Sequence, residues 1–249
     1  MVETDETTAS VAAVLRGHVL SPVSTARDVL EVEKAEIAAE REAFEKFRDR
    51  VAGIETVSTR HTGPATRSYA GQPRSRAVER VRSAFRETVM SVDHYDRTYG
   101  EPMIEHAAAE LSPDVAAGLQ GGAGTPFTDA YKNMLVGAVS ETVEQRDRFV
   151  RTLEAEGESL DRAEAELAEI LATLDGPRVP EYHREEFDRQ LSSIADRRQE
   201  TIRTHHFPSR VDGHDLCQYL YDDREWTYPV LTAVTRLSEQ TGEYERPDP

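Results

Sequence analysis

The strongest pattern in the sequence is a seven-residue repeat of apolar side chains between about Thr25 and Ile54. One position of the repeat is apolar throughout and carries Val23, Leu30, Ile37, Phe44 and Val51. The second position is apolar at Phe47 and Ile54 but carries Glu33 and Glu40 before them. A repeat of this length is typical of long helices that pack along one stripe. We therefore expect a long amphipathic helix whose contacts are tight near its end and loose near its start.

A second long helix is predicted between two clearly marked ends. Thr125 and Pro126 are a typical N-cap and first helical residue, and Gly176 followed by Pro177 marks the stop. Between them, alternating steps of four and three residues pass through twelve positions, nine of which are apolar. These positions are Leu135, Val139, Thr142, Arg146, Phe149, Leu153, Glu156, Leu160, Ala163, Leu167, Ile170 and Leu174. The span from Pro126 to Leu174 corresponds to about 73 Å of helix.

The apolar stripe of this second helix has to be covered, because large apolar side chains are costly to leave in water. Three partners are available: the first helix, a helix near Tyr182–Thr204, or a second copy of the chain. Short connections place consecutive helices side by side. An antiparallel hairpin about residues 175–180 is therefore the simplest arrangement.

Shorter helices are expected before and after this second long helix. One helical face that ends near Val92 is formed by Val78, Val81, Phe85 and Val89. Two short helices opened by Pro102 and by Ser112 with Pro113 are expected within residues 101–124. Residues 216–237 are rich in large apolar and aromatic side chains. The predicted fold is all-α: an elongated antiparallel helical bundle with long coiled-coil-like helices and a small aromatic C-terminal helical cap.

The domain organisation follows from the interruptions of these patterns. Residues 54–73 combine glycine, proline, serine and threonine without apolar periodicity, and they exceed the usual length of a connection, which predicts a mobile loop. We expect a disordered tail at 1–9, the long-helix bundle at 10–204, the helical cap at 205–241 and a second disordered tail at 242–249.

The charge balance adds an expectation about the environment. The 249 residues include 30 basic and 47 acidic side chains, a formal net charge of −17. Only Lys34, Lys46 and Lys132 are lysines; the other basic residues are arginines. A high acidic charge keeps proteins soluble in concentrated salt, where self-repulsion is screened within about 3 Å. We expect a halophilic, acidic protein; a GC-rich genome that favours arginine codons is the alternative.

Three further features indicate the cytoplasm. The N-terminus lacks the basic and apolar stretches of a signal peptide. The longest apolar stretches are far shorter than the roughly 18 residues that indicate a membrane span. Cys217 is the single cysteine, so no internal disulfide can form.

Two stretches resemble an uncharacterised α-helical protein family of halophilic archaea, a domain of unknown function. They are RSAFRETVMSVDHYDRTYGE, residues Arg82–Glu101, and HHFPSRVDGHDLCQYLYDDREWTYPVL, residues His205–Leu231. Together they cover about a fifth of the chain. The resemblance implies an all-helical fold and a salt-rich cytoplasm, and it brings no activity, cofactor or catalytic residue.

The sequence contains no familiar catalytic motif. No lysine follows a glycine as a phosphate-binding loop requires, and no histidine has the spacing of a di-iron site or a zinc protease. His94 beside Tyr95 and Tyr99 resembles a general-base arrangement but lacks a visible partner. His206, His214 and Cys217 are weak candidates for metal ligands, because imidazole and thiolate bind zinc. The alternative is that Cys217 packs in the aromatic core.

An arginine-rich segment at residues 60–86 could bind nucleic acid or an acidic partner. Seven arginines stand there against a single glutamate, Glu79. Arg76, Arg80 and Arg86 are the candidate contacts. Phosphate binding weakens steeply with salt, so pairing within the chain is the alternative that we favour.

These observations predict a non-enzymatic cytoplasmic interaction or scaffold protein without a cofactor or catalytic residue. Its protein partner, or a second copy of the chain, would bind along the second long helix through Leu153, Leu160 and Leu167. A nucleic-acid-associated regulator that uses residues 60–86 is the first alternative, and a metal-binding protein is the second.

Overall fold

The computed structural model describes residues 3–57, 72–121, 126–174, 184–204 and 216–243. Within these ranges all regular secondary structure is helical, which confirms the all-α prediction. Several predicted features lie outside the described residues: most of the loop at 54–73, the turn at 175–180, and His205, His206 and His214. The predicted division into domains stays a prediction.

Helix α1 (Glu3–Ala52) begins well before Thr25, where the seven-residue repeat starts. It continues through the buried Pro22, which has no N–H to donate to the His18 carbonyl one turn earlier. That carbonyl instead accepts from Ser21 Oγ at 3.2 Å and from Arg236 Nη1 at 2.8 Å. The helix continues through Pro22 because side chains replace the lost backbone hydrogen bond.

The structure divides into two compact units, and the division falls inside both long helices. The central unit comprises Ala35–Val150, and the terminal unit comprises Met1–Lys34 with Arg151–Pro249. The described part of the predicted cap at 205–241 lies in the terminal unit, together with the start of α1 and the end of the second long helix.

The central unit contains the end of α1, five short helical segments and the start of the second long helix. They are α2 (Gln72–Thr88), a 3₁₀ turn (Val89–Ser91), α3 (Tyr95–Thr98), α4 (Met103–Glu110), α5 (Pro113–Gln120) and α6 (Asp129–Leu174). Phe44, Phe47 and Phe85 are at most 1% exposed and form the centre of the core. The Phe47 and Phe85 rings meet edge to face, with centroids 5.1 Å apart. As predicted, Ser112 caps α5 by accepting from Val115 N at 3.2 Å.

Helix α6 begins three residues later than predicted. Thr128 is its N-cap and accepts from Tyr131 N at 3.2 Å, whereas Thr125 lies outside the described residues. Near this start, Lys132 Nζ donates to the carbonyls of Ala52 and Ile54 at 2.6 and 2.9 Å. One of the three lysines therefore caps the free carbonyls at the end of α1.

Gly118 in α5 allows the Tyr131 ring to lie directly against the helix. A Cβ added at Gly118 would lie 2.1 Å from Tyr131 Cε2, and the Tyr131 hydroxyl is held by the Val115 carbonyl at 2.7 Å. We expect Gly118→Ala to lower the free energy of unfolding by about 1–3 kcal/mol, because the ring has to move. Gly137→Ala is the matched control, since its Cβ meets no atom within 4 Å, and it should stabilise by about 0.5–1 kcal/mol. Urea unfolding of both variants measures the difference; equal stabilities would contradict the contact.

The terminal unit contains the start of α1, the end of α6 and three further helices: α7 (Arg184–Thr204), α8 (Leu216–Tyr221) and α9 (Pro229–Glu243). Arg27 on α1 pairs with Asp161 and Glu164 on α6 at 2.8 and 2.7 Å. Arg16, earlier on α1, donates to the carbonyl of Ala168, later on α6. The two long helices are therefore antiparallel here, as predicted.

Helix α7 also runs antiparallel to α6, because Arg198 near its end pairs with Glu156 while Phe187 near its start lies beside Ile170. Leu153, Leu160 and Leu167 on α6 are 0% exposed within the single chain. The apolar residues of α7 that face this core are buried, namely Phe187, Leu191 and Ile194. The leucines that were predicted to contact a partner or a second copy are thus already covered by the chain itself.

Candidate functional site

The densest polar arrangement of the central unit lies in its interior. We call it the central cluster: Glu40, His94, Tyr99, Glu110 and Arg146. Glu40 Oε1 accepts from the Tyr99 hydroxyl at 2.7 Å and lies 2.9 Å from His94 Nε2. Glu40 Oε2 accepts from Arg146 Nε at 2.9 Å. The Glu40 carboxylate is only 5% exposed, and each of its oxygens has a partner.

Arg146 joins α6 to two carboxylates of the central cluster. Its Nη2 lies 2.9 Å from Glu40 Oε2 and 2.8 Å from Glu110 Oε2. Its guanidinium lies 4.6 Å from the centre of the Phe44 ring, a cation–π geometry. Burial by itself lowers the pKa of Arg146, but the Glu110 and Glu40 carboxylates raise it, and the net shift is upward. Arg146 is therefore a buried permanent cation.

An aromatic layer orders the residues next to the central cluster. The Tyr99 ring meets the His106 ring at a centroid distance of 4.7 Å, and Tyr95 meets the same ring at 5.0 Å. His106 Nδ1 lies 2.8 Å from Glu101 Oε1, and the Tyr95 hydroxyl donates to the Glu101 carbonyl at 2.9 Å. The end of the stretch Arg82–Glu101 thus supplies buried structural contacts in this unit.

A second buried ion pair lies in the terminal unit. We call it the terminal cluster: Glu156, Ser159, Arg198, Cys217 and Tyr221. Arg198 donates to Glu156 through two bonds, Nη1 to Oε2 at 2.8 Å and Nη2 to Oε1 at 2.6 Å. It also donates to Ser159 Oγ at 3.1 Å and to Cys217 Sγ at 3.2 Å. Glu156 and Arg198 are 1% and 2% exposed, so the pair is held away from water.

Tyr221 has an unusual position at the edge of the terminal cluster. Its side chain is 0% exposed, and its hydroxyl has no hydrogen-bond partner among the described residues. Burial raises the pKa of Tyr221, and the nearby Glu156 and Cys217 raise it further. In the central cluster, burial first and then the Glu40 charge raise the pKa of Tyr99. Both phenols are therefore neutral in the fold.

The two tyrosines should respond oppositely to removal of the hydroxyl. Tyr99→Phe is expected to lower the free energy of unfolding by about 1.5–3 kcal/mol, because the charged Glu40 carboxylate loses the hydrogen bond that it accepts from the Tyr99 hydroxyl. Tyr221→Phe should be neutral or stabilising by about 1 kcal/mol, because an unsatisfied buried hydroxyl is removed. Urea unfolding at neutral pH measures both; a larger loss for Tyr221→Phe than for Tyr99→Phe would contradict the two hydrogen-bond environments.

Alkaline pH should act through the same groups. An unfolded tyrosine ionises near about pH 10, whereas Tyr99 and Tyr221 resist ionisation in the fold. Their contribution to stability is complete below about pH 10 and is lost as the pH rises above it. Phenolate absorbance from these two residues should appear only together with loss of the helical circular dichroism signal.

Two features limit the chemistry of the central cluster: its side chains are buried, and they bind one another. Glu40, His94 and Arg146 are at most 8% exposed, and they bind one another. A general base needs a free lone pair within reach of a substrate, and the Glu40–His94 pair has no exposed face to offer one. These contacts stabilise the packing of helices α1, α4 and α6 against each other.

The predicted metal ligands are only partly placed by the structure. Cys217 is buried, but His206 and His214 lie outside the described residues. In the described part of the chain, no three His, Cys, Asp or Glu side chains are grouped as a metal site. Because Cys217 Sγ already accepts an N–H from the Arg198 guanidinium, a cation at this sulfur would meet a positive charge.

The arginine-rich segment is partly used inside the central unit. Arg82 donates to the carbonyls of Leu119 and Gly121 at 2.6 and 3.0 Å and so caps the end of α5. Arg86 lies 3.5 Å from Glu79. Arg76 and Arg80 are exposed, and the structure gives them no ionic partner within its described ranges. Of the three candidate contacts Arg76, Arg80 and Arg86, the first two are therefore the ones without an ionic partner in the described part of the segment.

Sequence reasoning did not identify the ion pairs of four buried residues: Glu40, Arg146, Glu156 and Arg198. The signal was present, because each occupies a stripe position where an apolar residue is expected. Glu40 interrupts the first repeat, Arg146 and Glu156 interrupt the second, and Arg198 continues the spacing of Leu191 and Ile194. A polar residue at a stripe position needs a buried partner, which the spacing alone does not name.

The fold and the two clusters define a class of all-α proteins in which long antiparallel helices are held by buried arginine–carboxylate pairs. The sequence matches the family described as a domain of unknown function (DUF7260) over residues 21–245, and the chain belongs to that family. No curated protein and no solved structure matches the sequence. Among the described helices, none has the length and apolar character to cross a membrane.

Proposed function

We propose that the protein is a non-enzymatic interaction or scaffold protein of the cytoplasm. The observation that supports this proposal is that the side chains of the central cluster bind one another. The side chains that resemble catalytic groups bind one another: Glu40 Oε1 accepts from the Tyr99 hydroxyl and lies 2.9 Å from His94 Nε2, and both Glu40 and His94 are 5% exposed. A protein whose reactive groups stabilise its own helices offers its surface, rather than a reactive centre, to other molecules.

The charges of the protein suit concentrated salt, which is the environment that we propose for it. The net charge of −17 keeps the chain soluble when self-repulsion is screened. The exposed pairs of Arg27 with Asp161 and Glu164 contribute little stability under such screening. The ion pairs that hold the helices, those of Arg146 and Arg198, are buried and keep their strength.

A pull-down from host lysate in molar KCl tests the proposal. We expect one protein to co-purify at constant stoichiometry, to be identified by mass spectrometry, and to form the same complex when both proteins are purified separately. Leu160→Glu cannot test partner binding, because Leu160 is buried and the substitution should unfold the protein. Absence of any reconstituted complex across potassium concentrations would overturn the proposal.

A nucleic-acid-associated regulator is the second candidate, and the free Arg76 and Arg80 favour it. Under this proposal, changing Arg76, Arg80 and Arg86 to Gln should abolish retention on DNA at high salt. Arg82 is kept, because its bonds to the end of α5 are structural. Failure of the unaltered protein to bind DNA in molar KCl would end this candidate.

A further inference from the structure

A groove in the terminal unit runs between the end of α6 and the start of α7. Its volume is about 510 Å³, within the roughly 300–1,000 Å³ typical of binding clefts. Its floor is apolar and is formed by Ile170, Phe187 and Ile194, which are 3–8% exposed. The other residues that line it are polar or charged: Glu166, Glu169, Thr173, Glu186, Gln190, Ser193 and Arg197.

The charges along the groove are mostly negative. Glu166 and Glu169 lie on the α6 side and Glu186 on the α7 side. Among the described residues of the lining, Arg197 carries the single guanidinium, and it is paired with Glu166. Glu169 is exposed and has no ionic partner in the described part of the chain. An occupant therefore meets a carboxylate on each side of the groove, and at its floor the small exposed parts of Ile170, Phe187 and Ile194.

We propose that this groove docks a basic amphipathic helix of a partner protein, an inference that rests on the proposed function. Two adjacent antiparallel helices present a groove in which a third helix can lie. Phe187 and Ile194 are seven residues apart, so the floor extends over two turns, about 10 Å. A helix with an apolar stripe and Lys or Arg along both edges complements the floor and the two carboxylate sides.

A second copy of this chain does not complement the groove. A copy carries the same charge of −17. Its exposed arginines without an ionic partner among the described residues include Arg76 and Arg80 on α2 and Arg151 and Arg162 on α6. The apolar stripes of these helices are buried, with Val78, Val81, Leu153 and Leu160 at most 5% exposed. Among the helices whose side chains the structure describes, none presents such arginines beside an exposed apolar stripe. The occupant of this proposal is therefore a helix of another protein.

The test uses a dye-labelled synthetic helical peptide as the probe, with leucines on one face and lysines along both edges. Binding to the full-length protein is measured by fluorescence anisotropy over a range of KCl concentrations. Ser193→Trp fills the groove and should weaken binding about tenfold or more. Ser192→Trp is the matched control, because the exposed Ser192 is adjacent in sequence but does not line the groove; it should leave binding unchanged.

A second pair of variants separates specific docking from attraction to an acidic protein. Glu169→Gln with Glu186→Gln removes two charges from the groove, and Glu185→Gln with Asp188→Asn removes two charges from the same region outside its lining. Only the first pair should weaken binding, by about tenfold, and the loss should shrink as KCl rises. Equal effects of the two pairs, or equal binding of a peptide with Glu in place of Lys, would overturn the proposal.

The pull-down separates this inference from the proposed function. If Ser193→Trp releases the identified partner and Ser192→Trp retains it, the groove is the docking site. If both variants retain the partner, the interaction function holds and the groove assignment is wrong. The third outcome is that the wild-type protein captures no partner but binds the lysine peptide, and that only the groove variants, not their matched controls, weaken this binding. The groove assignment then stands while the proposed function fails.

Discussion

Replacing Arg146 by methionine is expected to lower the free energy of unfolding by about 3–5 kcal/mol. The substitution leaves the buried Glu40 and the half-buried Glu110 without the guanidinium that lies 2.8–2.9 Å from both carboxylates. An uncompensated buried charge is far more costly than a lost surface pair. Chemical denaturation followed by circular dichroism measures the loss, which should persist in molar KCl because the cluster is shielded from the solvent.

A rescue experiment identifies the cause of this loss. Adding Glu40→Gln to Arg146→Met should recover part of the stability, since one of the two stranded carboxylates becomes neutral. Arg151→Met is the control on the same helix; Arg151 is exposed, and its loss should change stability by less than about 0.5 kcal/mol. If Arg146→Met were as mild as Arg151→Met, the central cluster would not hold α6 against α1.

Replacing Glu156 by glutamine is expected to have a comparably large effect in the terminal unit. Arg198 is 2% exposed and donates two bonds to Glu156, so the substitution leaves a buried guanidinium without its counter-charge. The expected loss is about 3–5 kcal/mol. Glu158→Gln changes an exposed glutamate one residue beyond Gly157, and it should leave the unfolding midpoint nearly unchanged.

The double variant of this pair should behave differently from either single change. Glu156→Leu with Arg198→Met replaces both charges by apolar groups of similar size, which is often neutral or stabilising by about 1–4 kcal/mol. The two single variants should therefore be less stable than the double variant. A double variant as unstable as the sum of the single variants would show that the hydrogen bonds to Ser159 and Cys217, rather than the ion pair, hold α7 in place.

The helical framework could be predicted because it depends on local periodicity. The repeat through Leu30, Phe44 and Val51 is enough to indicate a helix and its buried face, and these residues are at most 1% exposed. The start of α6 was placed three residues too early, because Thr125 with Pro126 and Thr128 are both chemically suitable N-caps. The start of α1 was placed too late, because the repeat begins after a proline that the helix tolerates.

The partners at the candidate sites could not be predicted, because they are far apart in the sequence. Glu40 and Arg146 are separated by 106 residues, and Glu156 and Arg198 by 42. Each was visible only as a polar interruption of an apolar stripe. The same limit applies to Leu153, Leu160 and Leu167: the sequence requires a cover for them, while the cover itself, provided within one chain, depends on the tertiary arrangement.

The sequence by itself determined the helices, their buried faces, the strongly acidic charge and the membership of a family of unknown function. The tertiary structure alone decided which buried carboxylate pairs with which arginine, that Gly118 gives room to Tyr131, and that acidic residues border an apolar groove between α6 and α7. The physical reason is that helix formation follows from the spacing of neighbouring residues. The pairing of buried charges and the shape of a groove depend on side chains that only packing brings together.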